Sequence, residues 1–270
     1  MMRRKSTAPV QVIKLDDDHS QSRGDIVAVE EPLEIRIGKE SIAVTMRTPG
    51  NDFELVAGFL FTEGVIKKPA DIRKIAYCDA DPQEYNVVTV TLGDDVDFDP
   101  KRLERHFFTT SACGVCGKAT LESIRVNTTP NKSDLKVSAD TLYSLDAKLR
   151  KTQSVFEKTG ALHAAALFDE TGGLLLVRED VGRHNGVDKV IGAALLENKL
   201  PLDRHVLMVS GRSSFEIMQK ALVARISIVA SVGGPSSLAV DLAREFGMTL
   251  VSFLRGRRCN IYTGEQRITR

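Results

Sequence analysis

Long apolar runs are missing from this 270-residue chain. Nowhere do about 18 apolar residues follow one another, and the opening stretch "MMRRKSTAPVQVIKLDDDHSQSRG" has basic residues with no apolar segment behind them. No membrane span and no secretory leader are expected, and the expected location is cytoplasmic. An excess of charge is missing too: 37 Lys and Arg stand against 36 Asp and Glu, a formal net charge of +1. Bulk attraction to nucleic acid or to an anionic membrane is therefore not expected, and the partner has to be recognised by a site. Cysteine is scarce. The four present, Cys78, Cys113, Cys116 and Cys259, have no regular spacing, which excludes a disulfide framework and suits a reducing compartment. No internal repeat of fixed period is present, which excludes a solenoid.

The 42% of hydrophobic residues suffices for a buried core, and the length favours about two domains. Residues 1–24 mix charge and small polar groups and read as a mobile tail. "LEIRIGKESIAVTMR" alternates on both sides of "GKE", which predicts a hairpin with Leu33, Ile35 and Ile37 on one face and Ile42, Val44 and Met46 on another. "NDFELVAGFLFTEG" changes to helical period, with Asn51 or Asp52 as cap, Phe53, Val56, Ala57, Leu60 and Phe61 as the apolar stripe, and Gly64 as the stop. "YNVVTVTLG" predicts another strand, and the acidic "DDVDFDP" a loop. "SADTLYSLDAKLRKTQSVFEKTG" predicts one long helix with Leu142, Leu145, Leu149 and Phe156 inward, and the domain change falls near it. Residues 25–137 are then an N-terminal α+β domain and residues 138–270 a C-terminal α/β domain, because short apolar strands alternate with helices from Gly160 onward.

The motif "SACGVCGK", Ser111 to Lys118, places Cys113 and Cys116 three residues apart with a glycine after each. If a helix starts just after Cys116, its dipole and Lys118 lower the thiol pKa and make a nucleophile at neutral pH. A structural zinc site needs two more ligands, which distant Cys78, Cys259 or a histidine would have to supply. A zinc deaminase is suggested by "LHAAAL", but Ala165 stands where that class needs its glutamate, and the CxxC precedes His163. A thioredoxin-type pair would follow a strand directly, whereas this one follows the charged "RLERHFFTTS". A loop that presents one reactive cysteine fits better.

Three stretches of the C-terminal half carry further chemistry. "REDVGRHNGVDK" gathers Asp180, Arg183, His184, Asn185, Asp188 and Lys189 at a strand-to-helix junction, where open α/β sheets bind ligands. "VSGRSSFE", with Arg212, and "SVGGPSSLA" are both strand, small-residue turn and helix start, which suits phosphate, although serine and glycine there also simply cap helices. "FLRGRR", Phe253 to Arg258, adds three arginines at a strand end, and guanidinium groups fork phosphate oxygens or stack on flat rings.

Taken in order, "RTPGNDFELVAGFLFTEG", "SACGVCGKA", "REDVGRHNGVDKVIG", "SGRSSFEIMQKA", "GGPSSLAVDLA" and "GMTLVSFLRG" resemble the FdhD family, accessory sulfurtransferases of formate dehydrogenase, over almost the whole chain after the tail. The resemblance implies a carrier that accepts sulfur from a cysteine desulfurase as a persulfide and passes it to the molybdenum of bis(molybdopterin guanine dinucleotide), bound as substrate, with no permanent metal. By analogy Cys113 carries the persulfide and Cys116 assists. The cofactor-binding segment falls on Phe253, Leu254, Arg255, Gly256, Arg257 and Arg258. The resemblance further implies a C-terminal cytidine deaminase-like α/β sandwich, a homodimer, and formate dehydrogenase as client. Cys78 and Cys259 are expected to be structural.

Overall fold

The computed structural model describes residues 5–17, 19–79, 83–98 and 128–270. Two strands, β1 (Thr7–Asp16) and β2 (His19–Ala28), pair antiparallel along their whole length. Most of the segment expected to lack regular structure is therefore a β-ribbon. Its side chains are largely exposed, so the apolar periodicity that marks a buried strand is absent from it.

The next unit is a four-stranded sheet in the order β4-β3-β6-β5, made of β3 (Glu31–Ile37), β4 (Glu40–Arg47), β5 (Ile72–Tyr77) and β6 (Val87–Leu92). Helix α1 (Asp52–Thr62) follows β4. The predicted hairpin is β3-β4, but its second strand does not present the predicted face. A register shift between Ile35 and Arg36 inserts one extra residue, so Ala43 lies opposite Ile35 and Thr45 opposite Leu33. Ile42 is buried as expected, whereas Val44 and Met46 are exposed. A bulge exchanges the faces of everything beyond it.

Arg47 is turned inward by that bulge and is fully buried. Its guanidinium grips the Asp52 carboxylate with two bonds of 3.1 Å and donates to Glu31 and to the Tyr85 carbonyl. Asp52 also accepts from Tyr77 Oη at 3.0 Å. Asn51 occupies the cap position with a left-handed backbone but makes no side-chain cap, so neither candidate serves as a simple N-cap.

The long helix predicted before Gly160 is broken at Gln153. The short strand β7 (Val137–Ser138) leads into α2 (Ala139–Thr152), and α3 (Ser154–Thr159) follows. Glu179 explains the break: its carboxylate accepts from the backbone N–H groups of Val155 and Phe156, at 3.1 and 2.9 Å, and so starts a new helix there.

The second sheet has six strands in the order β13-β12-β11-β10-β8-β9. In chain order these are β8 (His163–Phe168), β9 (Leu174–Asp180), β10 (Val206–Val209), β11 (Ile228–Ser231), β12 (Thr249–Arg255) and β13 (Arg258–Thr263). Helices α4 (Arg183–Leu196), α5 (Phe215–Val223) and α6 (Ser237–Glu245) connect them, and β14 (Ile268–Thr269) returns to pair with β7. Strands β10, β11 and β12 are parallel; β8 runs against β10, and β13 against β12.

Both faces of this sheet are covered, which is why its strands read as continuous apolar runs. Ala164, Ala166, Phe168, Val206, Met208, Ile228, Ala230 and Val251 pack with Leu142, Leu145 and Leu149 of α2. The alternate residues Ala165, Leu167, Leu207, Val209, Val229 and Leu250 pack with α4, α5 and α6. The C-terminal half is the expected α/β sandwich. The second core continues into Leu33, Ile35, Val88 and Val90 of the smaller sheet, through α1. Helices α1 and α4 touch backbone to backbone: a Cβ at Gly192 would lie 1.8 Å from the Glu54 carbonyl oxygen, and one at Gly58 1.9 Å from that of Asp188. No described helix is long and apolar enough to cross a membrane.

Candidate functional site

The strand directions bring three helix starts to one edge of the large sheet. Strands β10 and β11 end there and feed α5 and α6, and β9, whose Asp180 lies opposite His163, ends there and feeds α4. The carboxyl ends of the parallel strands β10 and β11, and of β9 on the far side of β8, come out at this edge, and open α/β sheets hold ligands outside such ends. Unsatisfied N–H groups and aligned peptide dipoles at helix N-termini favour an anion.

The two small-residue turns lie side by side. Gly233 N–H donates to the Gly211 carbonyl at 2.9 Å, and Ser236 N–H to the Ser213 carbonyl at 3.1 Å. The approach requires glycine, since a Cβ at Gly233 would stand 2.9 Å from the Gly211 oxygen and 3.0 Å from Arg212. The serines divide the work. Ser210 Oγ accepts from Ala164 N–H, Ser231 bonds Ser252 at 2.8 Å, and Ser236 caps α6 by accepting from Ala239 N–H. Ser213 is fully buried, and its hydroxyl has no hydrogen-bond partner.

In the junction "REDVGRHNGVDK" most of the charge is used internally. The Asp180 carboxylate, wholly buried, accepts from Lys189 Nζ at 2.6 Å, Gly182 N–H at 2.8 Å, Asn185 Nδ2 at 2.9 Å and Thr48 N–H at 3.2 Å. Arg178 pairs with Glu54 of α1 at 2.7 Å. Asp188 pairs with Lys220 at 2.9 Å and accepts from Thr62 Oγ1; burial pushes its pKa up to about 6 against the pull of Lys220. Arg183 and His184 are what remains at the edge. His184 Nε2 lies 3.1 Å from Ser214 Oγ and 3.7 Å from Glu216. Burial, then the neighbouring Arg183 charge, pushes the His184 pKa down to about 4. The same two causes lower that of His163. Both imidazoles are neutral at neutral pH.

Phe253 begins the predicted cofactor segment at the same edge. Its N–H donates to the Gly233 carbonyl, its φ is 55°, and its ring covers Gly234 so closely that a Cβ there would meet the ring at 2.7 Å. The residue is 48% exposed on a left-handed backbone, so its aromatic side chain is accessible at the edge. Leu254 is fully buried in the α2-side core, and only its backbone can reach a ligand. Arg255, Gly256, Arg257 and Arg258 form the exposed tip of the β12-β13 hairpin, with Arg257 held 2.9 Å from Asp140 and over the Tyr143 ring. Arg212 is exposed at the edge.

On the α2 side of the edge is a cleft of about 290 Å³, lined by Asp146, Arg150, Gln153, Phe156, His163 and Ser210 among others. Ala165, where the deaminase class needs a glutamate, is fully buried against Gly186 of α4. Among the described residues no group of three or more His, Cys, Asp or Glu could hold a metal. Cys113 and Cys116, with Ser111 and Lys118, lie outside the described residues. Cys78 and Cys259 are both half-buried free thiols, and burial raises the pKa of Cys259. Sequence reasoning did not single out Ser213 or Glu216, because a serine or glutamate at a helix start reads first as a cap.

Comparison with known proteins places this architecture. The chain is 49% identical over 265 residues to "Sulfur carrier protein FdhD" of Streptomyces avermitilis, an alignment covering 96% of this chain and 94% of that one. It is 44% identical over 260 residues to the protein of the same name from Saccharolobus solfataricus, covering 95% and 96%. A crystal structure of a protein assigned as a formate dehydrogenase accessory protein, from Desulfotalea psychrophila, superposes with a TM-score of 0.79 at 26% identity, covering 98% of this chain and all of that one. The FdhD/NarQ family profile matches residues 28–269, and the chain belongs to that family.

Proposed function

We propose that this protein is a sulfur carrier in the maturation of formate dehydrogenase, acting as a sulfurtransferase in the cytoplasm. The observation that carries this reading is the near full-length similarity, at 44–51% identity, to proteins named as sulfur carriers in Streptomyces, Nocardia and Saccharolobus. The sheet edge supports the second half of the reading. Three helix starts, paired glycine turns, an outward aromatic ring and an arginine-rich hairpin tip suit a ligand with phosphates and a flat base.

In this reading Cys113 is the acceptor. Its thiolate attacks the outer sulfur of a persulfide on a cysteine desulfurase; the S–S bond there breaks, the donor leaves as a thiolate, and Cys113 holds the new persulfide. Attack by the Cys116 thiolate on the inner sulfur then forms a Cys113–Cys116 disulfide and releases hydrosulfide, so the two thiols are oxidised as the sulfane sulfur is reduced. The molybdenum of bis(molybdopterin guanine dinucleotide), bound as substrate against Phe253, Arg255 and Arg258, receives that sulfur before the cofactor enters formate dehydrogenase. A homodimer would present two such edges to the two guanines.

The test is intact-mass spectrometry after incubation with a cysteine desulfurase and free cysteine. One reducible sulfur atom should be gained by the native protein and by Cys116→Ala, and not by Cys113→Ala. No gain on Cys116→Ala, in which no second thiol of the motif can discharge the persulfide, would overturn the carrier role.

A further inference from the structure

The ribbon of β1 and β2 is hydrogen-bonded to neither of the larger sheets, and its charge is sorted by face. Residues opposite one another in a ladder share a face. The pairs Val10–Asp25, Val12–Arg23, Lys14–Gln21 and Asp16–His19 put every charged residue of the two strands on one side. There Val10 and Val12 are half-buried, and Lys14 bonds Asp16 at 3.2 Å. The alternate pairs, from Thr7–Ala28 to Leu15–Ser20, carry no charge at all. On that side Ile13 is 70% exposed, Leu15 74% and Ile26 44%. Charge belongs where water is, so an outward face without any calls for a reason.

The same uncharged residues own the free backbone edge. Val29 N–H donates to the Ser6 carbonyl at 2.9 Å, and hydrogen-bonded pairs recur at every second position of an antiparallel ladder. Ala8, Val10, Val12 and Lys14 therefore bond to β2, whereas Gln11, Ile13 and Leu15 turn N–H and carbonyl outward, and Pro9 turns out a carbonyl only. A row of that kind accepts a further strand unless charge, proline or a covering element blunts it. The β2 edge is blunted: Asp25 Oδ1 takes the outward N–H of Ile26 at 2.8 Å, and α3 lies against β2. Among the described residues the outward groups of Gln11, Ile13 and Leu15 have no partner.

We propose that the β1 edge receives an extended segment of a partner protein as a third strand, apolar and uncharged on the side that meets Ile13 and Leu15. The charge-free face selects that chemistry, because a charged side chain laid on it would lose water with nothing opposite to pair it. A second copy of this chain fits less well. Two β1 edges paired about a two-fold axis over their whole length set Pro9 opposite Ile13 twice, and each time the ladder lacks an N–H; a foreign strand meets Pro9 once. The face, ten residues long and two strands wide, covers roughly 300 Å² against the ~800 Å² per partner of a stable interface, so the encounter is transient. The inference is independent of the sulfur-carrier reading, and failure of either leaves the other standing.

The test uses the full chain and the fluorescein-labelled peptide Lys-Lys-Thr-Val-Thr-Val-Thr-Val-Lys-Lys, which has one apolar face as a strand, read by fluorescence anisotropy. Native protein should bind it at least ~10-fold more tightly than the same peptide with Asn in place of each Val. Hydrogen exchange at the amides of Gln11, Ile13 and Leu15 should slow in the complex. Ile13→Pro deletes an outward N–H and breaks no bond to β2, and Ile13→Lys puts a charge on the face; each should lower the affinity at least ~10-fold. Ile13→Lys should leave the Tm of the free protein unchanged, because the side chain is 70% exposed. No binding by native protein would overturn the edge site, as would equal affinity for the two peptides or native affinity in both variants. Sedimentation separates the remaining occupant: a native dimer that Ile13→Lys converts to monomer would assign the edge to a second copy and overturn the partner reading.

Discussion

His184 shows how one side chain at the edge ties the site to stability. Burial and the charges of Arg183 and Lys220 hold its pKa near 4, with Glu216 pulling the other way. The folded pKa therefore lies below the unfolded value of about 6.5, so the unfolded chain binds the proton more readily between those two values. The contribution is fully present above pH 6.5 and is lost as the pH falls toward 4, on the order of 2–3 kcal/mol. Asp188 has the opposite sign, since a carboxyl whose pKa is raised to about 6 is relieved of its buried charge as the pH drops through 6. Comparison with His184→Gln separates them: between pH 7 and 4.5 the urea midpoint should fall more in native protein than in the variant. Equal slopes would show that His184 is not held neutral. Phe253 teaches a related lesson. Its positive φ is a strain of roughly 1–3 kcal/mol that the packing of its ring on Gly234 holds in place.

At the scale of elements, the α1–α4 contact sets the geometry of the edge. Arg183 and His184 begin α4, α4 is located against α1 by the backbone contact at Gly58 and Gly192, and the Glu54–Arg178 pair ties α1 to β9, the strand that leads into α4. Gly192→Ala places a methyl 1.8 Å from the Glu54 carbonyl oxygen, and backbone cannot yield as a flexible side chain can. The expected cost is about 3 kcal/mol, read by urea unfolding. Gly24→Ala in the β-ribbon, with nothing within 4 Å of the new methyl, should leave the midpoint where it is. A Gly192→Ala protein as stable as the native one would mean that the two helices can separate freely.

For the whole molecule, the continuous core is the decisive feature. Leu33, Ile35, Val88 and Val90 of the small sheet belong to one cluster with Val187, Ile191 and Leu207 of the large one. Polar ties reinforce it: Lys189 Nζ donates to the Thr48 carbonyl at 3.0 Å, and Lys220 Nζ to Thr62 Oγ1 at 2.9 Å. Residues 25–137 and 138–270 are therefore predicted to unfold together. The chain has no tryptophan, and its four tyrosines are divided between the halves, Tyr77 and Tyr85 in one and Tyr143 and Tyr262 in the other. Tyrosine fluorescence and far-ultraviolet circular dichroism should thus trace a single coincident urea transition. Two separated transitions would show that the halves are independent.

The sequence by itself determined the parts whose signal is local. Short apolar runs such as "HAAALF", "VLMV" and "IVAS", with glycine-serine turns and helical stripes between them, specified a sandwiched sheet, and the density of polar residues after β9 and β10 marked the edge at which three helices begin. Only the tertiary structure decided what depends on partners far away along the chain. Asp180 is a clamp and Arg183 a free guanidinium, although both stand in one motif, because Thr48 lies 132 residues from Asp180 and no local pattern announces it. The bulge that turned Arg47 inward, the break that Glu179 imposes at Gln153 and the meeting of Gly58 with Gly192 have the same origin. Hydrophobic period says which face is buried; it does not say against what, and charge, hydroxyl and glycine acquire their roles only from what lies opposite them.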